Sequence, residues 1–258
     1  MSHNLRTFAP NFKHPKSMSD TLVITPTYNE KENIERIIRY VFSLPKTFHM
    51  LIVEDNSPDG TADIVKRLMT EFPDRLFILE RKGQLGLGTA YLDGMRWGLE
   101  HGYDYMIEMD ADFSHNPDDL VRLYDACATG KGDVAVGSRY VDGKISVVNW
   151  PMGRLMMSYF ASKYVRLVTG MRVADATAGY VCWTRRVLER MKFDKVKFIG
   201  YAFQIEMKYT ATRLGFKVCE VPIVFTDRVL GTSKMSMKIF KEAFFGVISL
   251  RFRNWKEY

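Results

Sequence analysis

The sequence predicts an α/β fold with a mainly parallel central sheet covered by helices on both faces. The first observation is alternation, because short apolar runs and longer stretches with helical spacing follow one another from Thr21 to about residue 142. The second is that the apolar runs are nearly continuous, as in strands buried on both faces. The third is that polar and acidic residues gather just after these runs, where the carboxyl ends of parallel strands bind ligands.

Each predicted strand of the first half is a short, nearly continuous apolar run. The runs TLVIT, MLIV, LFIL, YMIEM and VAV predict strands at residues 21–25, 50–53, 76–79, 105–109 and 134–136. The stretches between them repeat apolar residues every three to four positions, which is typical of amphipathic helices. In the first of them, residues 31–44, this face is formed by Ile34, Ile37, Ile38, Val41 and Phe42. The other helices are predicted at 61–72, 89–100 and 117–128.

After about residue 142 the alternation becomes irregular. Helices are predicted at 151–169, 202–214 and 236–250, and extended segments at 180–183 and 218–224. No repeat or low-complexity linker divides the chain, so we expect one large domain at 21–235, followed by an amphipathic helix and basic tail at 236–258. Residues 1–20 are expected to form a flexible polar leader without a signal peptide. No run is long and apolar enough to predict a transmembrane helix.

Charge and cysteine content narrow the functional classes. Lys and Arg exceed Asp and Glu by 37 to 30, a net charge of +7 that favours phosphate-bearing partners. The basic residues form no stripe interleaved with aromatic residues, so nucleic acid is not expected as a partner. The three cysteines lie far apart without Cys-x-x-Cys spacing. We therefore expect neither a disulfide framework nor a zinc site, and a reducing, cytoplasmic compartment.

Two carboxylates follow the fourth predicted strand in the triplet Asp110-Ala111-Asp112. On extended backbone they point to the same side, and such hard oxygen ligands suit Mg²⁺ or Mn²⁺ bridging two phosphates. The cation would offset the charge that builds on a departing diphosphate. A solvated acidic turn ahead of the next helix is the alternative. His115 is interpreted as a surface or capping residue in preference to a metal ligand.

Two glycine-containing segments have different interpretations. Residues 83–88 lack the third glycine of a dinucleotide-binding loop and follow the third strand instead of the first, so a hydride-transfer enzyme is disfavoured. Residues 227–234 combine Arg228 and Lys234 with glycine and serine. This pattern fits a loop that closes over phosphates, with an ordinary surface loop as the alternative.

Eight short motifs, taken together and in order, resemble the dolichol-phosphate mannose synthases, which are inverting GT-A glycosyltransferases of family 2. The motifs are PTYNE at 26–30, DNSPDGT at 55–61, LGLGTAY at 85–91, DADFSH at 110–115, GSRY at 137–140, GYAFQIEM at 200–207, EVPI at 220–223 and DRVLGTSK at 227–234. The resemblance implies a GT-A fold, a nucleotide-sugar donor, a polyprenyl phosphate acceptor and a divalent cation.

The resemblance also implies roles for individual residues. The nucleoside would be held by Pro26, Tyr28, Glu30 and Asp55. The sugar diphosphate would meet Asp110, Ala111, Asp112, Arg228 and Lys234, and the metal would be bound by Asp110, Asp112 and Ser114. Catalysis would fall to Asp110, Asp112 and Arg228. The lipid phosphate would be held by Arg139, Arg154 and Ser158, the last two on one helix face. Glu206 would lie near the sugar or in a helix-face salt bridge.

The resulting hypothesis is inverting transfer of mannose from GDP-mannose to a dolichyl or polyprenyl phosphate at the cytoplasmic face of a membrane. Three alternatives stay open: the same reaction with UDP-glucose or another nucleotide sugar, transfer to a saccharide hydroxyl, and a non-catalytic subunit on the same fold. A hydroxyl acceptor would need a carboxylate base, and the pair Arg154 and Ser158 favours a phosphate. Whether a partner subunit anchors the enzyme to the membrane stays open as well.

The C-terminal stretch at 236–250 suggests how the chain could reach a membrane. Its apolar face consists of Phe240, Ala243, Phe244, Val247 and Ile248, with Lys238 and Lys241 toward the edges. This pattern fits a helix lying on an anionic membrane surface, and it fits a helix packed on the core equally well. We expect peripheral membrane association.

Overall fold

The computed structural model describes residues 19–200, 202–226 and 237–253, without the side chains of residues 142 and 237–243. The strands are β1 Thr21–Thr27, β2 His49–Glu54, β3 Leu76–Glu80, β4 Tyr105–Glu108, β5 Val134–Ser138, β6 Val147–Val148, β7 Val181–Thr184, β8 Val218–Pro222 and β9 Phe225–Thr226. The helices are α1 Ile34–Ser43, α2 Thr61–Glu71, α3 Leu87–Glu100, α4 Asp119–Ala128, α5 Met152–Thr169, α6 Arg185–Arg190, α7 Ala202–Arg213 and α8 Met237–Arg251, with 3₁₀ turns at Val141–Gly143 and Phe193–Lys195.

Seven strands form one sheet in the order β3-β2-β1-β4-β7-β5-β8. All neighbouring pairs are parallel except those of β7, which runs antiparallel to both β4 and β5. A second, two-stranded sheet pairs β6 with β9. The prediction of a mainly parallel sheet is confirmed, and the extended segment predicted at 180–183 becomes the one antiparallel strand of the large sheet among the described residues.

Helices cover the large sheet on both faces, as predicted. Along β1, Leu22 and Ile24 belong to one apolar core and Val23 belongs to the other, because successive side chains of a strand point to opposite faces. The first core is completed by α3, α7 and α8, and the second by α1, α2 and α4. Burial on both faces explains why the strand sequences are almost continuously apolar.

Local turns delay two helices by two or three residues beyond their predicted first residue. Before α1, the backbone N–H groups of Asn33 and Ile34 both donate to the Glu30 carbonyl, at 3.0 and 2.9 Å, so a turn occupies the predicted start at residue 31. Before α4, the Asn116 side chain accepts the Asp118 N–H at 3.1 Å and delays the helix to Asp119. In contrast, α3 begins two residues early, directly after Gly86 with φ of 101°.

The C-terminal helix α8 lies against the domain. Val247 and Leu250 are buried in the first core, and the Phe244 ring stacks on Tyr164 of α5 with centroids 4.5 Å apart. Phe245 is 66% exposed. The helix is therefore both a core element and a partly uncovered apolar surface. No helix within the described ranges is long and apolar enough to cross a bilayer.

Candidate active site

The loops that follow β1 and β2 are joined by hydrogen bonds at the carboxyl edge of the sheet. The backbone N–H of Asn29 donates to the Ser57 hydroxyl at 3.0 Å, and that of Glu30 donates to the Thr61 hydroxyl at 3.1 Å. The Glu54 carboxylate accepts the backbone N–H groups of Asn56 and Ser57, each at 2.8 Å. These bonds hold the predicted nucleoside-binding segments side by side, with Pro26, Tyr28 and Glu30 all partly exposed.

Asp55, also predicted to hold the nucleoside, is fixed by a buried arginine. The Nε and Nη2 groups of Arg81 donate to its two carboxylate oxygens at 2.6 and 2.8 Å, and the Arg81 side chain is 1% exposed. Arg81 also donates to the Thr89 hydroxyl at 2.8 Å and so links Asp55 to the first turn of α3. Sequence reasoning missed Arg81, because it follows β3 without a motif of its own.

The Asp110-Ala111-Asp112 triplet follows β4, and each of its carboxylates is oriented by a neighbour. The Tyr91 hydroxyl, from α3, donates to Asp110 Oδ1 at 3.0 Å. The backbone N–H of Ser114 donates to Asp112 Oδ1 at 3.0 Å, in a turn made by the left-handed backbone of Phe113. Burial, reinforced by the charges of Asp110 and then Glu108, raises the pKa of Tyr91, so its hydroxyl stays protonated and keeps donating.

His115 contributes backbone and packing contacts to this loop. Its Nδ1 accepts the Asp110 backbone N–H at 3.2 Å, and its ring stacks on Tyr180 with centroids 4.6 Å apart. The residue is 3% exposed, and burial lowers its pKa and keeps the ring neutral. His115 was expected to be a surface or capping residue. The expected surface location is wrong, because His115 is buried between the loop and Tyr180.

The two carboxylates of the triplet fit a metal that is shared with the substrate. Asp110 keeps 38% of its side chain exposed and Asp112 is also partly exposed. Among the described residues, no group of three or more His, Cys, Asp or Glu side chains forms a metal cage. Mg²⁺ is commonly bound by one or two carboxylates together with substrate phosphates, so this donor set suits it. The role of Ser114 as a metal ligand stays a prediction, and Ser114 is 3% exposed.

A polar network lies buried behind the triplet, around Glu108 at the end of β4. Its carboxylate accepts from Trp183 Nε1 at 2.6 Å and from the Gln204 amide. Lys208, fully buried on α7, donates to the Ala178 carbonyl at 2.5 Å. Burial raises the pKa of Glu108 and lowers that of Lys208. The network ties α7 to the strand that carries the triplet, and nothing in the local sequence pattern indicated it.

The three residues predicted for the lipid phosphate gather around two aromatic rings. The Arg139 guanidinium lies 5.3 Å from the Trp150 ring centroid, and the Arg154 guanidinium lies 4.4 Å from the same ring. Ser158 accepts a hydrogen bond from the Tyr140 hydroxyl at 2.9 Å, and the Tyr140 ring centroid is 5.3 Å from the Arg139 guanidinium. These residues, from β5 to α5, therefore form one cluster, termed here the acceptor cluster.

Within the acceptor cluster, Arg139 is held by a buried carboxylate that sequence reasoning missed. Its Nε and Nη2 donate to the two oxygens of Asp175, both at 2.6 Å, and its Nη2 donates to the Thr177 hydroxyl at 2.9 Å. Burial alone would lower the pKa of Arg139, but the charge and hydrogen bonds of Asp175 outweigh it and raise the pKa. Arg139 thus stays a cation although its side chain is 9% exposed.

One aromatic ring connects the metal-side loop to the acceptor cluster. The Phe225 ring centroid is 5.6 Å from that of His115 and 5.5 Å from the Arg139 guanidinium. The Asp110-Ala111-Asp112 loop and the acceptor cluster are therefore neighbours at one edge of the sheet. Arg228 and Lys234, predicted to contact the donor phosphates, lie outside the described residues.

Glu206 takes the second of its two predicted roles, as a salt-bridge partner. The residue is fully buried, and its Oε1 accepts from Arg253 Nη1 at 2.5 Å. Its Oε2 accepts the backbone N–H groups of Lys197 and Phe198, both at 2.9 Å. Glu206 therefore joins the segment after α8 to the segment before α7.

Comparisons with known proteins agree with this geometry. The model of the family "Glycosyl transferase family 2" matches residues 22–197. The chain is 48% identical over 88% of its length to a polyprenol monophosphomannose synthase from Mycolicibacterium smegmatis, of which the alignment covers 85%. It is 43% identical over 86% of its length to an undecaprenyl-phosphate mannosyltransferase from Micrococcus luteus, with 90% of that protein covered.

Solved structures show the same fold at low sequence identity. Glucosyl-3-phosphoglycerate synthase from Mycobacterium tuberculosis, in complex with Mn²⁺, UDP and glucosyl-3-phosphoglycerate, has a TM-score of 0.62 at 16% identity, covering 91% of this chain and 78% of its own. A mannosyltransferase from Pyrobaculum calidifontis, in complex with GDP-Man and Mn²⁺, has a TM-score of 0.56 at 19% identity, covering 93% of this chain and 67% of its own. The GT-A fold expectation is confirmed.

Proposed function

Since this chain belongs to glycosyltransferase family 2, we propose that it transfers mannose from GDP-mannose to a polyprenyl or dolichyl phosphate with inversion of the sugar linkage. The observation that carries the proposal is the Phe225 contact, because it sets a metal-compatible carboxylate pair beside a cluster of two arginines and a serine. The names of the relatives, a polyprenol monophosphomannose synthase and an undecaprenyl-phosphate mannosyltransferase, support mannose and a lipid phosphate. GDP-mannose is supported by the Pyrobaculum neighbour's bound donor.

The donor side works by holding the diphosphate in place. Mg²⁺ or Mn²⁺, when bound, supplies positive charge that stabilises the departing nucleoside diphosphate. Asp110 and Asp112 would hold the ion, and Tyr91 and the Ser114 N–H fix the directions of their carboxylates. Such preorganised groups lower the barrier because they need no rearrangement as the charge develops. The Arg81–Asp55 pair keeps the nucleoside end of the site in a fixed shape.

The acceptor side needs alignment and no proton transfer. A phosphate monoester carries close to two negative charges near neutral pH, so its oxygen attacks without a general base. Arg154 and Ser158 would hold this phosphate, and Arg139, which contacts the same Trp150 ring as Arg154, would add its buried positive charge. A single displacement at the anomeric carbon inverts the linkage and releases GDP. The protein's contribution is to hold the two phosphate groups in line.

The proposed acceptor places the reaction at a membrane surface. Apolar side chains are exposed along α5 and after α8, among them Met152 at 70%, Phe160 at 56% and Phe252 at 81%. A helix face of this kind can lie in the interface of a bilayer. We therefore propose peripheral association with the cytoplasmic face of a membrane, a location with which the three free cysteines are consistent.

The test compares donors and acceptors in one assay. Purified enzyme is incubated with Mn²⁺, with either GDP-mannose or UDP-glucose as donor and with either a polyprenyl phosphate or a saccharide as acceptor, and the glycosylated acceptor is measured. We expect product with GDP-mannose and little with UDP-glucose. Product from UDP-glucose alone would identify the same reaction with another sugar, and transfer only to a saccharide hydroxyl would overturn the phosphate acceptor.

A further inference from the structure

A basic cleft opens beside the acceptor cluster, between the residues that follow β5 and helix α5. Its volume is about 250 Å³. Cations line it from two sides, Lys144 after the 3₁₀ turn and Lys163 and Arg166 on α5, together with the rings of Tyr140 and Tyr159. No described residue that lines it is acidic. The cleft therefore has the charge and polar groups that suit a phosphate.

The cationic side chains that α5 contributes to the cleft lie on one side of the helix. Lys163 and Arg166 follow Tyr159 by four and seven residues, which places all three on one side of the helix. The Lys163 ammonium lies 4.9 Å from the Tyr159 ring centroid. Within the described part of the chain, the side chains of Lys144, Lys163 and Arg166 form no ion pair with an acid. Their positive charge is thus available to a ligand.

Tyr140 separates the cleft from the acceptor cluster. Its hydroxyl donates to Ser158 on the acceptor side, and its ring meets the Tyr159 ring edge-on at 5.6 Å on the cleft side. Of the acceptor residues Arg139, Arg154 and Ser158, none lines the cleft. A phosphate in the cleft would therefore be a second one, held next to the acceptor phosphate and by different groups.

The surroundings of the cleft favour a lipid over a free ion. Met156, Phe160 and Leu167 lie along the adjoining stripe of α5 and are 45%, 56% and 85% exposed. Apolar side chains beside a cationic pocket match acyl chains beside a headgroup, whereas a free phosphate gains nothing from them. We propose that the cleft binds the phosphate of an anionic membrane phospholipid beside the acceptor. The inference rests on the proposed function, because the lipid acceptor is what brings the enzyme to a bilayer.

The test measures binding to vesicles without sugar donor or acceptor, so its outcome does not depend on the transfer reaction. Sedimentation is compared for phosphatidylcholine vesicles with and without phosphatidylglycerol. The test variant is Lys163→Ala with Arg166→Ala. The matched control is Lys131→Ala with Arg190→Ala, which removes the same charge from exposed positions at the opposite edge of the sheet. Thermal unfolding checks that each variant is folded.

We expect wild type to prefer the anionic vesicles. Each cation near a membrane surface contributes about fivefold in binding, so the test variant should lose roughly 25-fold and the control little. Equal losses of vesicle binding in both double variants would mean that general surface charge drives the binding, and would overturn the proposed site. Unchanged vesicle binding by the test variant would overturn it as well. In a separate arm, inorganic phosphate is added to protein alone. If it raises the melting temperature of wild type but not of the test variant, while both bind the anionic vesicles equally, the cleft is a free-phosphate site and the lipid assignment is wrong.

Discussion

Replacement of Asp175 by Asn tests whether Arg139 depends on its buried partner. Four hydrogen bonds converge on the Asp175 carboxylate: two from the Arg139 guanidinium at 2.6 Å, one from the Arg139 backbone at 3.0 Å and one from Thr177 at 3.3 Å. Asn keeps the volume, removes the charge and turns N–H groups toward the guanidinium donors. The result is a buried cation without its counter-charge.

The expected loss is large because both partners are buried. Breaking a buried ion pair from one side costs about 3–5 kcal/mol, and each kcal/mol lowers the melting temperature by about 2–4 °C in a domain of this size. We therefore expect Asp175→Asn to lower the free energy of unfolding by about 3–5 kcal/mol. Urea denaturation measures this value. Asp194→Asn is the matched control, because Asp194 is 98% exposed and pairs with Arg96 at 3.7 Å, a type of contact worth about 0–1 kcal/mol.

The pH dependence of the free energy of unfolding gives an independent check on the direction in which the Asp175 charge acts. Burial alone would raise the pKa of Asp175, but the Arg139 charge and hydrogen bonds outweigh it and lower the pKa. The stabilisation is thus present above the ordinary carboxyl pKa of about 3.9 and is lost as the pH falls through the folded-state value. The difference between wild type and Asp175→Asn should narrow in acid. A variant within about 0.5 kcal/mol of wild type at neutral pH, the range of ordinary surface substitutions, would refute the reasoning.

Three further predictions address the metal side, the acceptor side and the packing of α3. Asp112→Asn should lower turnover by roughly 10²-fold or more, as when one strong electrostatic stabiliser is removed, and should leave the melting temperature unchanged. Wild-type activity that persists in EDTA would contradict the metal assignment. Arg154→Ala should raise the KM for lipid phosphate and leave the affinity for the nucleotide sugar unchanged, since its guanidinium lies over Trp150 in the acceptor cluster. Steady-state kinetics with each substrate varied would show equal losses of affinity for both substrates if Arg154 were merely structural. Gly88→Ala should lower the free energy of unfolding by about 1–3 kcal/mol through overpacking, because a Cβ there would lie 2.8 Å from the Phe203 ring. A urea denaturation curve equal to that of wild type would show that the Phe203 ring moves aside without cost.

The fold could be predicted from the sequence because its signals are local. Each strand of the parallel sheet is buried on both faces, so a run such as MLIV identifies β2 without knowledge of its neighbours. Boundaries were less accurate, since they depend on single hydrogen bonds such as the one from the Asp118 N–H to the Asn116 side chain. The positions of Asp110 and Asp112 were predicted for the same reason as the strands, because they lie in the loop that begins one residue after β4.

The partners that orient the site could not be predicted, because they come from distant parts of the chain. Asp175 meets Arg139 across 36 residues, and Gln204 meets Glu108 across 96. A charged residue in a sequence pattern looks the same whether it is solvated or paired, and only burial distinguishes the two. Arg139 illustrates the consequence: the motif GSRY predicts a cation for the acceptor phosphate, but a guanidinium already bonded to Asp175 has few donors left for a phosphate. In the proposed reaction, direct contact with the lipid phosphate would therefore fall mainly to Arg154 and Ser158, and Arg139 would act on it largely through its charge.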